Sequence, residues 1–295
     1  MARILSRLKP DIVLLLGDRS EILMAAFAAV QLKIPMAHIQ GGELSGNIDG
    51  IQRHAITKLS HIHFAETKQA AGRILKLGEE PWRVHQVGAP YIDFIRKKLY
   101  TPAARVRKKF GLGPAEHFLL VLQHPVTTDP ESSYSDMRET LAAVKESGLR
   151  AITVYPCSDQ GYQGIIDAIE ERRRDRQFSI HKNIPAEDFI GLEAAAAALV
   201  GNSSAGIYEA PYVYCPFVNV GARQQGRERE RNVIDAPPEQ RAIAAAIRRA
   251  QSTQFRKQMR RLRYLYGDGR TYQRIVRVLK RVRLGPELFE KRMAY

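Results

Sequence analysis

The pattern of apolar and polar positions divides the chain into short apolar segments that alternate with amphipathic ones. Ile12–Leu16, Phe118–Leu122 and Phe217–Val220 are apolar or nearly so, which is typical of strands buried on both faces of a parallel sheet. Amphipathic stretches such as Glu21–Leu32 and Ser135–Ser147 have the apolar spacing of helices. This alternation predicts an α/β fold built from doubly wound parallel sheets.

The remaining elements follow the same alternation. Further strands are predicted at Ile34–Ile39, His63–Ala65, Val84–Val87, Ala151–Tyr155 and Leu199–Gly201. Further helices are predicted at Met1–Leu8, Asp49–His61, Lys68–Leu77, Gly164–Arg174, Ala186–Ala198, Ser204–Ala210 and Gln240–Ala250. A basic stretch with Pro and Gly, residues 94–114, predicts a hinge between a domain of residues 1–100 and one of residues 101–295. The C-terminal helices are expected to pack back across this hinge.

The charge of the chain is concentrated at one end. The net charge is +15, and residues 241–295 contain 16 Lys or Arg against 3 Asp or Glu. A solvated face of C-terminal helices explains this excess, and binding to nucleic acid or to a membrane surface is the alternative. The aromatic residues there fall near helical spacing and do not interleave with basic residues as in a base-stacking surface, so we expect neither partner.

The cysteine and histidine residues bear on the cellular location of the protein and on metal binding. Cys157 and Cys215 cannot form a disulfide framework, and the N-terminus lacks the apolar core of a signal peptide, which together favour a cytoplasmic protein. The eight His and two Cys show no spacing of metal ligands, so no metal is expected.

Polar side chains follow the predicted strands of the N-terminal half. Asp18 comes just after Ile12–Leu16, and Gln40 and Glu43 flank a Gly-Gly pair after the next strand. Asp49 precedes a predicted helix. Because ligands of parallel sheets bind at the carboxyl ends of the strands, these residues predict an active-site edge. Asp18 and Asp49 also fit the simpler role of helix N-caps.

The C-terminal half repeats this arrangement. His124 follows the strand Phe118–Leu122, and Ser203 and Ser204 precede a predicted helix start that would favour a phosphate. A Ser-Ser helix cap and a strand-end histidine bonded to backbone are the structural alternatives.

Several motifs in consistent order resemble one family. They are Gly17-Asp18-Arg19, the run from His38 to Asp49, Arg53–Leu59, Leu122–Thr128, Gly201–Gly206 and Gly221–Glu228. The chain resembles the UDP-N-acetylglucosamine 2-epimerases, in particular the hydrolysing branch of sialic acid biosynthesis. The resemblance implies two Rossmann-like domains facing a cleft, as in the glycosyltransferase-B fold. It also implies conversion of UDP-N-acetylglucosamine and water to UDP and N-acetylmannosamine, without a cofactor, by a homodimer or homotetramer.

The resemblance assigns roles to these residues. It makes Asp18, Asp49 and His124 catalytic, with His124 at the diphosphate, and Glu209 a ligand of the ribose hydroxyls. Gln40 stands where some relatives have an acid/base Glu, so we expect it to bind the substrate, with Glu43 as a second contact. The remaining nucleotide contacts implied are Ser203, Ser204, Arg223 and Lys182.

The resemblance also marks departures. Gly50 stands where many relatives have a second acidic residue, and the first third of the family's N-terminal domain has no counterpart, so that domain is expected to be incomplete. Three alternatives therefore stand beside the hydrolysing reaction: another UDP-sugar such as a diacetamido-trideoxyhexose, epimerisation without hydrolysis, and an inactive nucleotide-sugar-binding remnant.

Overall fold

The computed structural model describes residues 1–44, 48–261 and 263–295. Ser45, Gly46 and Asn47 of the motif that runs from His38 to Asp49 lie outside the described residues, as does Leu262. The chain divides into two compact units. The first unit combines Met1–Asp93 with Leu265–Tyr295, and the second unit is the continuous segment Phe94–Tyr264.

Short strands and helices alternate along the whole chain. In the first part these are α1 (Ala2–Leu8), β1 (Val13–Leu16), α2 (Ser20–Gln31), β2 (Met36–Ile39), α3 (Ile48–Leu59), β3 (Ile62–Ala65), α4 (Lys68–Lys76), β4 (Val84–Gln86) and α5 (Pro90–Arg96). The middle holds α6 (Ala103–Lys109), β5 (Phe118–Leu122), α7 (Ser133–Glu146), β6 (Arg150–Val154), α8 (Tyr162–Glu170), β7 (Phe178–His181), α9 (Ala186–Ala195), β8 (Ala198–Gly201), α10 (Ala205–Tyr208), β9 (Phe217–Val220) and β10 (Val233–Ala236). The chain ends with α11 (Gln240–Gln251), α12 (Thr253–Met259), α13 (Thr271–Leu279) and α14 (Pro286–Phe289).

The first unit is built on a parallel sheet with the strand order β1-β2-β3-β4. Its core contains side chains of α2 and α3 packed with β1 and β2, and a second cluster in which Ile275 of α13 and Leu288 of α14 pack against β2 and β3. The last two helices, α13 and α14, are therefore an integral layer of this unit, whereas α11 and α12 belong to the second unit. The Asp93 carboxylate anchors α13 by accepting hydrogen bonds from the backbone N–H groups of Thr271 (2.9 Å) and Tyr272 (2.7 Å).

The second unit is built on a parallel sheet with the order β10-β9-β8-β5-β6-β7. The chain builds outward from β5 to β7 and then returns to place β8 on the other side of β5. The strand order therefore reverses between β5 and β8. In open parallel sheets ligands bind at such a reversal, beyond the carboxyl ends of the two strands.

The predicted fold class, α/β with two parallel sheets, is confirmed. The sequence prediction missed β7 and β10, which are four-residue strands with polar residues inside them and lie at the two edges of the sheet. The stretch predicted as a hinge, residues 94–114, contains α6, which packs against α9. The helix predicted at Ser204–Ala210 was too long, because α10 ends at Tyr208 and a 3₁₀ turn follows it. Within the described residues, every helix is too short or too polar to cross a membrane.

Candidate functional site

In the first unit, polar residues follow β1, β2 and β3 at one edge of the sheet. The parallel register pairs Leu16 with Ile39 and Ile39 with Phe64, so the residues just beyond these strands lie side by side. They include Asp18 and Gln40, which the sequence predicted, and Glu66, which it did not.

Asp18 is tied to a buried arginine. Its carboxylate forms an ion pair with the guanidinium of Arg53, whose side chain is 2% exposed while that of Asp18 is 18% exposed. The same guanidinium donates to the backbone oxygen of Gln40 at 3.4 Å. A buried ion pair with a further hydrogen bond fixes the carboxylate in one orientation, which the N-cap alternative does not require.

Gln40 connects this ion pair to a second carboxyl group. Its backbone has a φ of 75°, a left-handed conformation that is unusual for a residue with a side chain. Its amide Nε2 donates to the Tyr91 hydroxyl at 3.2 Å and to the Glu66 carboxyl at 3.5 Å. The strained turn therefore aims the Gln40 side chain at Glu66 and Tyr91.

Glu66 is the functional candidate that the sequence interpretation missed. It is fully buried directly after β3, and the Tyr91 hydroxyl lies 3.0 Å from each of its two oxygens. Burial, with the nearby charge of Glu43, raises the pKa of the Glu66 carboxyl to about 8, against the opposing hydrogen bonds from Tyr91 and Gln40. Near pH 7 this carboxyl is mostly protonated and can donate a hydrogen bond. The strand-end rule that indicated Asp18 would have indicated Glu66 too.

Glu43 and Asp49 occupy the loop and helix that follow β2. Glu43 is buried at 1% exposure, and its charge raises the pKa of Glu66. Asp49 lies in the first turn of α3, one turn before Arg53, so the two side chains project from the same face of the helix. The structure therefore places Glu43 beside Glu66 and Asp49 on the helix face that carries Arg53.

His38 and the Gly41-Gly42 pair support this edge of the sheet. His38 is buried, its Nε2 lies 2.8 Å from the backbone oxygen of Gly17, and burial lowers its pKa to about 3. Gly42 has a φ of 75°, and a Cβ there would lie 2.2 Å from the backbone oxygen of Ala70. A neutral histidine and an obligatory glycine thus set the path of the loop.

In the second unit, His124 and Asn202 form a paired contact where the strand order reverses. His124 follows β5 and Asn202 follows β8. The His124 N–H donates to Asn202 Oδ1 at 2.7 Å, and Asn202 Nδ2 donates to the His124 backbone oxygen at 2.9 Å. The Asn202 amide therefore takes the place of the next backbone hydrogen bonds between β5 and β8, and it fixes the position of His124.

The hydrogen bonds of His124 define which ring nitrogen carries the proton. The backbone N–H of Cys157 donates to His124 Nδ1 at 3.1 Å, so the neutral ring carries its proton on Nε2. Burial, together with the positive charge of Arg223, lowers the pKa of His124 to about 3. His124 is therefore a neutral hydrogen-bond donor throughout the physiological pH range.

Arg223 brings a positive charge to the same place. Its guanidinium donates to the backbone oxygen of Asn202 at 3.3 Å, and Gln224 Nε2 donates to the same oxygen at 2.7 Å. The loop after β9 is thus fastened to the end of β8. A neutral donor and a guanidinium at a sheet reversal are groups of the kind that can hold a phosphate.

Ser203, Ser204 and Glu209 surround α10. Ser203 is buried, and its hydroxyl accepts from the N–H of Ala205 at 3.3 Å. With four residues, α10 has little dipole, so the hydroxyl and N–H groups are the relevant donors for an anion here. Burial raises the pKa of Glu209 to about 7 against the opposing charge of Arg227, so this carboxyl is close to half protonated near neutral pH.

Lys182 is not brought to this cluster. It is exposed just after β7, the edge strand, with β6 between β7 and β5. Strands lie roughly 4.8 Å apart, which sets Lys182 about 10 Å from the end of β5. Of the nucleotide contacts that the resemblance implied, the structure places His124, Ser203 and Arg223 at the ends of three adjacent strands. It places Ser204 and Glu209 around α10, directly after them.

The fold and these two strand-end clusters define a two-unit α/β protein with polar sites at the carboxyl ends of parallel strands. A family model described as UDP-N-acetylglucosamine 2-epimerase matches residues 1–280. The chain belongs to the UDP-N-acetylglucosamine 2-epimerase family.

Two curated relatives extend this finding. The chain is 37% identical over 286 residues to a UDP-N,N'-diacetylbacillosamine 2-epimerase (hydrolyzing) of Legionella pneumophila, covering 97% of this chain and 75% of that protein. It is 34% identical over 250 residues to a UDP-N-acetylglucosamine 2-epimerase of Neisseria meningitidis serogroup B, covering 85% of this chain and 66% of that protein. The chain thus spans 75% of the length of the first relative and 66% of the length of the second.

Solved structures share the fold. A UDP-GlcNAc 2-epimerase from Neisseria meningitidis bound to UDP-GlcNAc superposes with a TM-score of 0.81 at 19% identity, covering 95% of this chain and 79% of that one. A Staphylococcus aureus MnaA–UDP structure gives a TM-score of 0.78 at 19% identity, covering 95% of this chain and 76% of that one. The shared fold is the glycosyltransferase-B-like type, with two α/β units built on parallel sheets.

Proposed function

We propose that this chain is a hydrolysing 2-epimerase that converts UDP-N-acetylglucosamine and water to UDP and N-acetylmannosamine. The observation that carries the proposal is the state of His124, a neutral Nε2–H donor fixed beside Arg223 where the strand order reverses. In the first unit, a carboxylate paired with Arg53 and a buried carboxyl whose pKa is raised to about 8 lie at one sheet edge, and such a contrast suits acid/base chemistry at neutral pH.

The second unit would bind UDP. His124 Nε2–H and the Arg223 guanidinium would donate to the diphosphate, and their interaction would strengthen as negative charge grows on the departing UDP. The hydroxyls of Ser203 and Ser204 would add donors. Glu209 would accept hydrogen bonds from the ribose hydroxyls, which its ionised form does best.

The first unit would act on the sugar. Asp18 would remove the C2 proton while the C1–oxygen bond to UDP breaks, which leaves the 2-acetamidoglucal. Water would then add across the double bond, with its hydroxyl at C1 and a proton at C2 on the opposite face. We assign Asp49 as a second catalytic carboxylate, and Gln40 and Glu43 as contacts of the sugar.

Glu66 would be a positioning residue in this scheme. It is fully buried, so it would act through Gln40 and Tyr91 rather than touch the sugar. As a protonated carboxyl it holds both groups without adding a negative charge beside Asp18. This arrangement supports a substrate-binding role for Gln40, at the position where the family resemblance implies a glutamate in some relatives.

A second candidate substrate is UDP-N,N'-diacetylbacillosamine, on which the Legionella relative acts according to its name. The specific observation is that this relative covers 97% of the chain at 37% identity. The reaction at C1 and C2 would be the same, and the two substrates differ only in the groups on C4 and C6 of the sugar.

One assay separates these possibilities. The purified chain is incubated with each UDP-sugar in D₂O, and UDP release, the freed sugar and deuterium at C2 are followed by NMR. Free 2-epimer with deuterium at C2 supports the hydrolysing reaction, and the faster substrate identifies the specificity. Epimerised UDP-sugar without free sugar would indicate a non-hydrolysing enzyme. Absence of turnover, with saturable UDP binding that is lost in His124→Ala, would reduce the proposal to nucleotide binding.

We also propose that the chain forms a homodimer or homotetramer. Light scattering with and without UDP would test this.

A further inference from the structure

A cavity of about 510 Å³ lies in the first unit, away from the strand ends that carry Asp18 and Gln40. Its lining includes Ile62, the first residue of β3, and Trp82, which lies in the 3₁₀ turn before β4. Both residues mark the amino ends of their strands. The cavity is therefore at the opposite end of the sheet from the candidate active-site edge, and its size is within the range of about 300–1,000 Å³ typical of ligand pockets.

The buried side chain of Arg83 holds the elements around this cavity together. Arg83 is 1% exposed, and its guanidinium donates to the backbone oxygens of four residues. These acceptors are His61 (3.2 Å), Glu287 (3.0 Å), Leu288 (2.9 Å) and Glu290 (3.0 Å). One buried cation thus fastens α14 to the start of β3. The apolar floor, to which Ile62 and Leu288 contribute, is held in place by this contact.

The rim of the cavity is strongly basic. Arg277, Arg281 and Arg283 line it, against one carboxylate, Glu287. No carboxylate among the described residues lies within 4.0 Å of these three guanidinium groups. Arg277 lies in the last turn of α13 and Arg281 lies two residues beyond the end of that helix, and both line the same cavity, where their like charges repel. A bound anion would relieve this repulsion.

The aromatic wall is the indole of Trp82. The side chain is 47% exposed, and the Arg83 guanidinium lies 4.1 Å from its ring centroid. A flat ring can stack on an exposed indole while arginines hold a phosphate, since guanidinium forks match phosphate oxygens. An apolar floor, an aromatic wall and three arginines without carboxylate partners therefore suit an anion that carries a flat ring.

We propose that this cavity is a nucleotide-binding site, distinct from the candidate active site, that stacks the base on Trp82 and holds the phosphate with Arg277 and Arg281. The proposal does not depend on the proposed reaction. It makes the chain responsive to a nucleotide that need not be its substrate.

Trp82 is the only tryptophan in the chain, so its fluorescence reports on this cavity directly. The titration uses the 295-residue chain with His124→Ala, which removes a proposed nucleotide donor of the candidate active site. UMP, AMP and inorganic phosphate are added separately up to millimolar concentration. We expect saturable quenching by UMP or AMP and much weaker binding of phosphate alone.

Matched variants complete the test. Arg277→Gln with Arg281→Gln should weaken nucleotide binding at least about tenfold, which corresponds to about 1.4 kcal/mol. Arg260→Gln with Arg261→Gln removes the same charge from exposed positions outside the cavity and should leave the affinity within about twofold. Absence of saturable quenching by either nucleotide would overturn the proposal. So would quenching that is the same in the Arg277/Arg281 variant, or equally weakened in the Arg260/Arg261 control.

Discussion

The side-chain amide of Asn202 forms two hydrogen bonds with the backbone of His124: Asn202 Oδ1 accepts from the His124 N–H at 2.7 Å, and Asn202 Nδ2 donates to the His124 oxygen at 2.9 Å. An amide is the side chain that can donate to and accept from one residue's backbone in this way. The contact joins β5 to β8 just beyond their last paired residues, where the strand order of the sheet reverses.

Asn202→Ala should lower the free energy of unfolding by about 1–3 kcal/mol, because it leaves two backbone groups of His124 without their partners. UDP binding should weaken as well, since His124 loses its fixed position. Chemical denaturation and calorimetric titration measure the two effects. Asn183→Ala, at an exposed position after β7, is the control and should stay within about 0.5 kcal/mol. Equal stability of both variants would contradict this account.

His124→Ala should lower the turnover number about 10²–10³-fold, the usual cost of removing one donor that stabilises developing charge. His124→Gln, which keeps an N–H donor, should retain more activity. Because burial lowers the His124 pKa to about 3, the ring stays neutral from pH 5 to 8 and should contribute no ionisation to the rate there. A rate profile with an ionisation near pH 6.5 that disappears in His124→Gln would contradict the neutral-donor role.

Glu66→Gln should change how stability depends on pH. The folded pKa of Glu66 is raised to about 8 from an ordinary 4.5, so the unfolded chain releases this proton first. Stability should therefore fall as pH rises from about 4.5 to 8, by up to about 1.4 kcal/mol per pH unit for one proton. Glutamine cannot ionise, so the variant should lose this slope. Denaturant titrations at pH 5.5 and 8 measure it, and parallel curves for the two proteins would contradict the buried, protonated state.

Acid should destabilise the protein through three histidines whose pKa values are lowered in the folded state. The pKa values of His38 and His124 are lowered to about 3 and that of His61 to about 4, chiefly by burial. Since the unfolded chain binds these protons below about pH 6.5, stability is complete above that value and falls as pH drops toward 4. His38→Asn should remove about one proton from the slope between pH 6 and 4, measured by denaturant titration. An unchanged slope would show that His38 is not buried in the neutral form.

Gly42→Ala and Gly72→Ala form a matched pair in the first unit. At Gly42 the φ is 75° and a Cβ would lie 2.2 Å from the Ala70 backbone oxygen, whereas at Gly72, within α4, a Cβ would meet nothing within 4 Å. Gly42→Ala should destabilise the protein by more than about 2 kcal/mol, and Gly72→Ala should stabilise it by about 0.5–1 kcal/mol. Thermal unfolding of both variants measures the difference, and a neutral Gly42→Ala would contradict the close approach of the loop to α4.

The sequence predicted elements well where the apolar pattern is continuous. Phe118–Leu122 was predicted with its observed bounds, because five apolar residues in a row leave no other element. Val233–Ala236 was missed, because its Asp235 and the charged residues before it resemble a loop. Its pairing with β9 supplies the missing information, and that pairing is not local.

The candidate site shows the same limit. Asp18 follows an obvious strand and could be found from the sequence, whereas Arg53, its partner, comes from a helix 35 residues later. Glu66 and Tyr91 are 25 residues apart, and only the fold shows that the carboxyl is buried against the hydroxyl. Strand-end positions can thus be predicted from pattern, but burial and pairing, which set protonation, depend on contacts distant in sequence.

The discontinuity of the first unit has a consequence for the order in which the protein folds during synthesis. Arg83 needs backbone oxygens of Glu287, Leu288 and Glu290, which leave the ribosome 204 to 207 residues after it. The continuous second unit can complete its core as soon as Tyr264 has emerged, although it is made after most of the first. We expect stalled chains ending near residue 264, with a linker that clears the ribosome exit tunnel, to resist protease in the second unit and remain sensitive in the first. Equal resistance of both units at that length would show that the early segment folds without its C-terminal layer.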